Sequence, residues 1–201
     1  MIYLIITTSI IDNAYSLKQD PNVRKDHYID SIRCTLNNLP ASITPIIVEN
    51  NGERQTFLDE LGIRVIYTTN NKTHEAHKGV NELMDIHDVI DKLKLSDQDT
   101  VIKLTGRYKV LNDTFFKLVL GNPEYDCIIK FFHAYAEVYM EHDCLLGLYA
   151  MKVCHLKNFK YTEFWSSAEI DFSKYCRKLD YLECKDLGLM YRRWGASDLI
   201  V

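Results

Sequence analysis

The chain has no CxxC pair among its six cysteines, no GxGxxG or GxxxxGK[ST] loop and no G-x-S-x-G elbow. Those absences remove a zinc ribbon, a dinucleotide-binding Rossmann site, a P-loop and an α/β-hydrolase nucleophile. Glycine and proline are sparse, eight and four in 201 residues, and no Gly/Ser/Pro-rich stretch marks a linker. Positive charge is not in excess: 24 Lys and Arg face 28 Asp and Glu, for a net charge of -4. A nucleic-acid binder would carry a basic footprint, so nucleic acid is not an expected partner, although Arg192 and Arg193 form a local basic pair. The longest apolar run, MIYLIITTSII at the start, is too short to span a bilayer and has no basic leader or small-residue cleavage pattern. A cytoplasmic protein with no membrane span is the expectation.

What is present is a 47% hydrophobic chain long enough to bury a full core. Cys34, Cys127, Cys144, Cys154, Cys176 and Cys184 form no tight framework and read as reduced, mostly buried thiols. His74 with His77, His142 with Cys144, and Cys154 with His155 lack a recognised metal-ligand spacing and read as solvated or core side chains.

The apolar pattern alternates between the two secondary-structure periods. Strands are predicted at Ile2 to Ile6, Thr44 to Val48, Val65 to Thr69 and Thr100 to Leu104. Between them, Ile29, Ile32, Leu36 and Leu39 step at helical spacing ahead of Pro40. A short helix over Glu53 to Leu61 is closed by Gly62. A longer one is marked by Leu83, Ile86, Ile90 and Leu93. Another follows near Thr114 to Leu120, introduced by Asn112 and Asp113. This order predicts an α/β fold with a mostly parallel central sheet and helices on both faces. From Asp126 the chain becomes richer in strands, with Asp126 to Phe132, Glu137 to Met140 and Leu145 to Val153 predicted. A helix over about Ser167 to Leu179 follows, and Leu187 to Tyr191 adds a last strand. With no linker between residues 1–122 and 123–201, one domain is expected, its second half β-richer.

The most informative segment is Ser96-DQDTVIKLTGRYKV, an acidic turn, a buried strand and then Thr105-Gly106-Arg107-Tyr108. A strand ending this way delivers a guanidinium to the carboxyl edge of the sheet, where open α/β folds bind ligands. The guanidinium's planar fork suits phosphate or carboxylate, and the glycine would let a ligand approach the main chain. Three other strand ends are also polar: Thr7, Thr8 and Ser9; Glu49, Asn50 and Asn51; Asn70 and Asn71. Each alone is ordinary turn chemistry, whereas together they outline a pocket. A sugar nucleotidyltransferase would carry a glycine-rich, arginine-containing loop after the first strand, and TTSIIDNAYS stands there instead.

On these elements the chain resembles the GT-A class of nucleotide-sugar glycosyltransferases, particularly small viral and bacterial surface-glycan enzymes. The local matches are a first strand ending TTS, a helix opening with Arg24 and continuing into YIDSI, a second strand ending IIVENNG, and KGVNEL ahead of KLTGRYK. The resemblance implies a GT-A-like fold and transfer of a sugar from a UDP- or GDP-sugar to a glycan hydroxyl. It implies a base and ribose site at Thr7, Thr8, Ser9, Glu49 and Asn50, with Asn70 beside it, and places Lys78 and Asn81 near the diphosphate or donor sugar. The alternative is a non-catalytic GT-A-shaped module of a larger glycan-assembly system.

The chain departs from that class at the end of its fourth strand, where most members carry an Asp-x-Asp motif for Mn²⁺ or Mg²⁺. Asp97 and Asp99 precede the strand instead and read either as a turn or as a displaced metal motif. Cations would then neutralise the leaving group: Arg107 first, then Lys103 or Lys78, with Thr105 beside them. Lys103 is equally a lysine snorkelling from a strand edge. Glu169 is the candidate general base, and the same residue completes a capping box with Ser166. Trp165 is a sugar platform or a core residue.

Overall fold

The structure, a computed structural model, describes residues 1–11, 21–72, 78–134, 136–161, 167–191 and 197–201. In chain order the elements are β1 (Ile2–Thr8), α1 (Pro21–Asn37), β2 (Ile43–Glu49), β3 (Arg64–Tyr67), α2 (Lys78–Leu93), β4 (Thr100–Thr105) and β5 (Lys109–Val110). They continue with α3 (Thr114–Gly121), β6 (Cys127–Ile129), β7 (Leu148–Lys152), α4 (Val153–Asn158), α5 (Ala168–Cys176), β8 (Tyr181–Glu183), β9 (Leu189–Tyr191) and β10 (Leu199–Ile200).

Seven strands form one sheet in the order β3-β2-β1-β4-β7-β6-β8. The first four run parallel. β7 is antiparallel to both β4 and β6, and β8 returns parallel to β6. Both faces are covered, which is why β1 is a continuous apolar run rather than an alternating one. Leu4 and Ile6 pack with Tyr28 and Ile32 of α1 and with Phe115, Phe116 and Val119 of α3. Tyr3 and Ile5 face the other way, toward Leu83, Ile86, Val89 and Ile90 of α2, Leu156 of α4 and Phe172 of α5. The register sets Thr7 level with Val48 and Thr105, and Thr8 level with Glu49, so the polar strand ends form one row at the carboxyl edge.

Several predicted elements are corrected. The helix expected over 53–61 is a 3-10 turn, Phe57–Leu61, opened by a Thr56 and Asp59 capping box and closed by Gly62 at φ 72°. The strand expected over 137–140 is reduced to a single bridge between His133 and Val138. β7 starts at Leu148 rather than Leu145, and Val153 opens α4, a helix that the apolar run had concealed. β8 and β10 were not foreseen, and β9 joins β5 and β10 in a separate three-stranded sheet. At α3 the cap comes from Asn112, whose Oδ1 accepts from the Thr114 N–H at 3.0 Å, while Asp113 makes no side-chain cap bond.

The stripe that the apolar spacing suggested does face the core, with Ile32 buried and Leu36 and Leu39 packed half-buried against it, but polar side chains share that face. The inward face of α1 carries Arg24, Tyr28, Ser31, Ile32 and Thr35, all buried. Ser31 Oγ donates to the Arg107 carbonyl at 2.9 Å, and Thr35 Oγ1 accepts from the Val110 N–H at 3.3 Å. The helix is thereby tied to the segment that follows β4, and it fixes where Arg107 leaves the sheet.

Gly106 has a different purpose from the one its place suggested. A Cβ there would lie 2.9 Å from Thr8 Cγ2 and 3.0 Å from the Thr7 carbonyl, so the glycine permits close packing of two strand ends rather than approach of a ligand. At Gly147 a Cβ would lie 2.5 Å from the Tyr108 ring. Gly147→Ala is expected to cost about 1 to 3 kcal/mol in a denaturant titration, the usual range for overpacking. Gly121→Ala, where a Cβ meets nothing within 4 Å, is expected to leave the midpoint unchanged or raise it.

Candidate active site

At the carboxyl edge the polar strand ends mostly bind one another. Glu49 is fully buried and gathers the Thr8 hydroxyl (2.8 Å), the Ile10 N–H (3.2 Å), the Asn51 amide (2.6 Å) and the Arg54 guanidinium (3.3 Å). The Ser9 carbonyl accepts from Arg24 Nε at 2.7 Å, and Ser9 Oγ accepts from Asn71 Nδ2 at 2.9 Å. Asn50 and Asn70 turn to α2, where their amides donate to the buried Asp85 at 2.9 and 2.8 Å and Thr68 Oγ1 donates at 2.6 Å. All of Asp85's partners here are neutral. Burial pushes its carboxyl up from 3.8 to about 7; the three hydrogen bonds work in the opposite direction, and the charge of Glu82 adds to the rise.

Beside this row a cleft of about 650 Å³ opens at the end of β4. One wall comes from the start of α2 and of α5, with Lys78, Gly79, Glu82, Ser167 and Glu169. The segment after β4 brings Arg107 and Tyr108 to the cleft and β9 brings Tyr191, and the two tyrosine rings lie 4.5 Å apart. Lys103 and Thr105 line it from the strand end, and His133, Asp143 and Gly147 from the segment before β7. The cleft therefore brings together Lys78, Lys103, Thr105, Arg107 and Glu169. It is not lined by Thr8, Ser9, Glu49, Asn50 or Asn70, and Asn81 is buried on α2 outside it. Thr7 reaches the cleft indirectly, through a 3.1 Å hydrogen bond to Glu82.

Lys103 is neither snorkelling nor open to a ligand. Its side chain is almost wholly buried, and Nζ donates to Glu82 Oε2 (2.6 Å), Thr105 Oγ1 (2.7 Å) and the Leu146 carbonyl (2.6 Å). Those three acceptors use all three ammonium protons. Glu82, a quarter exposed on the cleft floor, also accepts from Thr7 and from Thr105 Oγ1 at 3.2 Å. Asp143 is held by the Cys144 N–H at 2.8 Å and lies 3.6 Å from His133 Nε2. Burial raises its carboxyl, and the Glu169 charge raises it further, while Cys144 and His133 pull it down. Ser167 is the N-cap of α5 but makes no side-chain cap bond; its hydroxyl donates instead to Glu169 Oε2 at 2.8 Å.

Glu82, His133 and Asp143 were not singled out from the sequence. Glu82 stands inside KGVNEL, one turn after Lys78, so its helical position already aimed it at the same edge. Asp143 was passed over between His142 and Cys144, and only the tertiary approach of α5 reveals it. Trp165, Ser166, His74, His77, Arg192 and Arg193 lie outside the described residues.

Asp97 and Asp99 sit at the other end of β4. Asp99 accepts from the Ser96 N–H at 2.8 Å and pairs with the Met1 ammonium at 2.5 Å, and Asp97 pairs with Lys157 at 2.7 Å. That is turn chemistry, a strand's length from the cleft. Where a metal motif would stand, the side chains are a threonine hydroxyl and a guanidinium, and the nearby Glu82 is committed to Lys103. This donor set does not fit a divalent cation. Among the described residues no three His, Cys, Asp or Glu side chains come close enough to share an ion. Nor is any helix among them long and apolar enough to cross a membrane.

No family model and no curated protein matches the sequence. Solved structures do. A candidate nucleotide-diphospho-sugar transferase from Desulfovibrio desulfuricans G20 superposes with a TM-score of 0.59 at 12% identity, over 91% of this chain and 79% of that one. The mannosyltransferase PcManGT from Pyrobaculum calidifontis, in complex with GDP-Man and Mn²⁺, gives 0.56 at 10% identity over 92% of this chain, which spans 55% of the mannosyltransferase. The galactosyltransferase LgtC, in complex with donor and acceptor sugar analogues, gives 0.51 at 10% identity, over 90% and 72% of the two chains. The fold is thus the GT-A-like fold of nucleotide-sugar transferases.

Asp85 makes stability depend on pH. With its carboxyl raised, the folded protein keeps a proton that the unfolded chain has released, so the Asp85 contribution is full below 3.8 and declines as pH rises to about 7. Denaturant midpoints measured across that window are expected to fall with pH. In Asp85→Asn this part of the slope is expected to vanish; an unchanged slope would place the titration elsewhere.

Proposed function

We propose that this chain is a glycosyltransferase that moves a sugar from a UDP- or GDP-sugar to a hydroxyl of a glycan. One observation carries the reading: within a GT-A-like fold, one cleft at the carboxyl end of β4 is lined by both Arg107 and Glu169. Glycosyl transfer builds negative charge on the departing nucleoside diphosphate, and a guanidinium fixed at the strand end stabilises it as the bond breaks. Glu169 accepts the acceptor hydroxyl's proton in the inverting form of the reaction. Tyr191, half-buried and backed by the buried Tyr108 ring, offers an aromatic surface against which a pyranose ring packs. Lys103 is withdrawn from the leaving-group role by its three protein partners, and Lys78 at the start of α2 takes second place after Arg107. We place residues 1–122 on the donor side and 123–201 on the acceptor side of one catalytic unit.

The test is turnover of a panel of UDP- and GDP-sugars, with and without EDTA and Mn²⁺. Activity is expected to survive EDTA. Arg107→Ala is expected to lose about 3 kcal/mol of transition-state stabilisation, and Arg107→Lys to recover part of it, since an ammonium keeps the charge and loses the fork. Strict metal dependence together with full activity of Arg107→Ala would overturn the assignment.

Glu169→Gln is expected to lower turnover by about 10²-fold while nucleotide affinity stays near wild type. Equal turnover in the two proteins would remove Glu169 from the chemistry. The absence of an acidic pair at the end of β4 is the one observation favouring a non-catalytic module; nucleotide binding without turnover of any donor would select it.

A further inference from the structure

Two cysteines meet between the sheet and α5. Cys127 lies on β6 and Cys176 ends α5, both are buried, and the Cys127 thiol donates to Cys176 Sγ at 3.5 Å. The backbone on each side is held independently of that contact. β6 runs between β7 and β8, with Cys127 level with Met151 on one and Tyr181 on the other. On α5, Phe172 stands one turn before Cys176 and so shares its face, and its ring packs 4.6 Å from Tyr149 and 5.1 Å from Phe159. The packing of helix on sheet therefore presents the two sulfurs to each other. Cys34, Cys144 and Cys184 are placed differently, because their thiols donate to the main-chain carbonyls of Val110, Glu169 and Asp186.

From this geometry we infer that Cys127 and Cys176 are an oxidative modification site, closing into an intramolecular disulfide that staples α5 to β6. The site is separate from the cleft and does not rest on the donor reading, but it acts on the helix whose first turn carries Glu169. The oxidant is a small-molecule disulfide such as oxidised glutathione. One protein sulfur attacks it as thiolate and releases one glutathione thiol; the second protein sulfur then displaces the other, leaving one S–S bond and two reduced glutathiones. The sulfurs close from 3.5 Å to about 2.05 Å by rotation about the two Cα–Cβ bonds. Burial pushes the Cys176 thiol up, so thiolate is scarce in the closed fold and the bridge forms as the chain folds or opens. Once made, it closes a loop running from β6 through β7 and α4 to α5, and so restricts the unfolded chain more than the folded one.

The measurement is peptide mass mapping of the wild-type protein after oxidation. The folded chain is incubated with oxidised glutathione and, in parallel, refolded from reductant and denaturant into the same oxidant; free thiols are then trapped by alkylation in acid. A crosslinked peptide pair joining Cys127 to Cys176, lighter by two hydrogens than the separate thiol peptides, is expected to dominate over every other pairing, and to form faster on refolding than in the folded protein. The bridged protein is expected to unfold at a higher denaturant concentration than the same sample after reduction. Cys176→Ser is expected to abolish both the crosslink and that difference in midpoint; should this variant fail to fold, the wild-type map and midpoints decide alone. Recovery of Cys127 and Cys176 as thiols or as separate glutathione adducts in both samples would overturn the inference, as would a different dominant pair. A bridged form that unfolds more easily than the reduced one would also overturn it, because the fold would then not accommodate the bond.

Discussion

The ammonium of Lys103 is the point on which the candidate site is built. It sits on the central β4 among the buried Val101, Ile102 and Leu104, and an unpaired charge there would be unsustainable. Its three acceptors come from three places: Glu82 on α2, Thr105 at the end of β4, and the carbonyl of Leu146 just before β7. One side chain thereby joins the helix, the parallel half of the sheet and its antiparallel continuation. Ion pairs of this kind add little net stability over an apolar substitute, because desolvation offsets the attraction. What they supply is position: once Lys103 is buried, Glu82 and Thr105 have one arrangement that satisfies it.

The same edge contains two more buried carboxylates, and their partners differ in kind. Glu49 has the Arg54 guanidinium within 3.3 Å along with its N–H and hydroxyl donors. Asp85 has two amides and a hydroxyl, all neutral, and burial lifts its carboxyl to about 7. At Asp85 the cost of burial outweighs the three neutral hydrogen bonds that favour the charged form. The two carboxylates nonetheless do similar structural work. Glu49 gathers the loops after β1 and β2, and Asp85 ties the ends of β2 and β3 to α2. The polar strand ends are therefore a scaffold for the cleft more than its lining.

The fold was legible in the sequence because the first half obeys simple periods. Apolar runs of strand length alternate with helical spacing, and a sheet covered on both faces needs that pattern. The second half was harder, and the reasons are local. The run from Leu145 to Val153 is apolar except for Lys152, and one lysine near its end does not by itself mark the change from strand to helix at Val153. Val138, Tyr139 and Met140 have strand-forming side chains yet stay largely exposed, with one bridge between His133 and Val138 in place of a ladder. In the site, Arg107 and Glu169 could be nominated because a strand end and a helix start are recognisable in sequence. Glu82 and Asp143 could not be ranked the same way, since their place in the cleft comes from tertiary partners, Lys103 and Thr7 for Glu82 and His133 for Asp143.

The arrangement also bears on the proposed donor site, because it leaves Arg107 rather than Lys103 as the candidate cation for a diphosphate. Both residues belong to the segment that leaves the sheet at its carboxyl edge, four positions apart. Lys103 points from within the strand toward α2, where an acceptor was needed to make its burial tolerable, and that commitment exhausts its donors. Arg107 lies beyond the strand, at the turn whose carbonyl Ser31 anchors to α1. A guanidinium carries five N–H donors in a fork that can hold a protein contact and an anion together, which an ammonium with three committed protons cannot. Exchanging the two residues would keep the net charge of the edge and lose both arrangements. Arginine at 103 would exceed the room around a side chain that is almost wholly buried, and lysine at 107 would present a single point of charge where a planar fork faces the cleft.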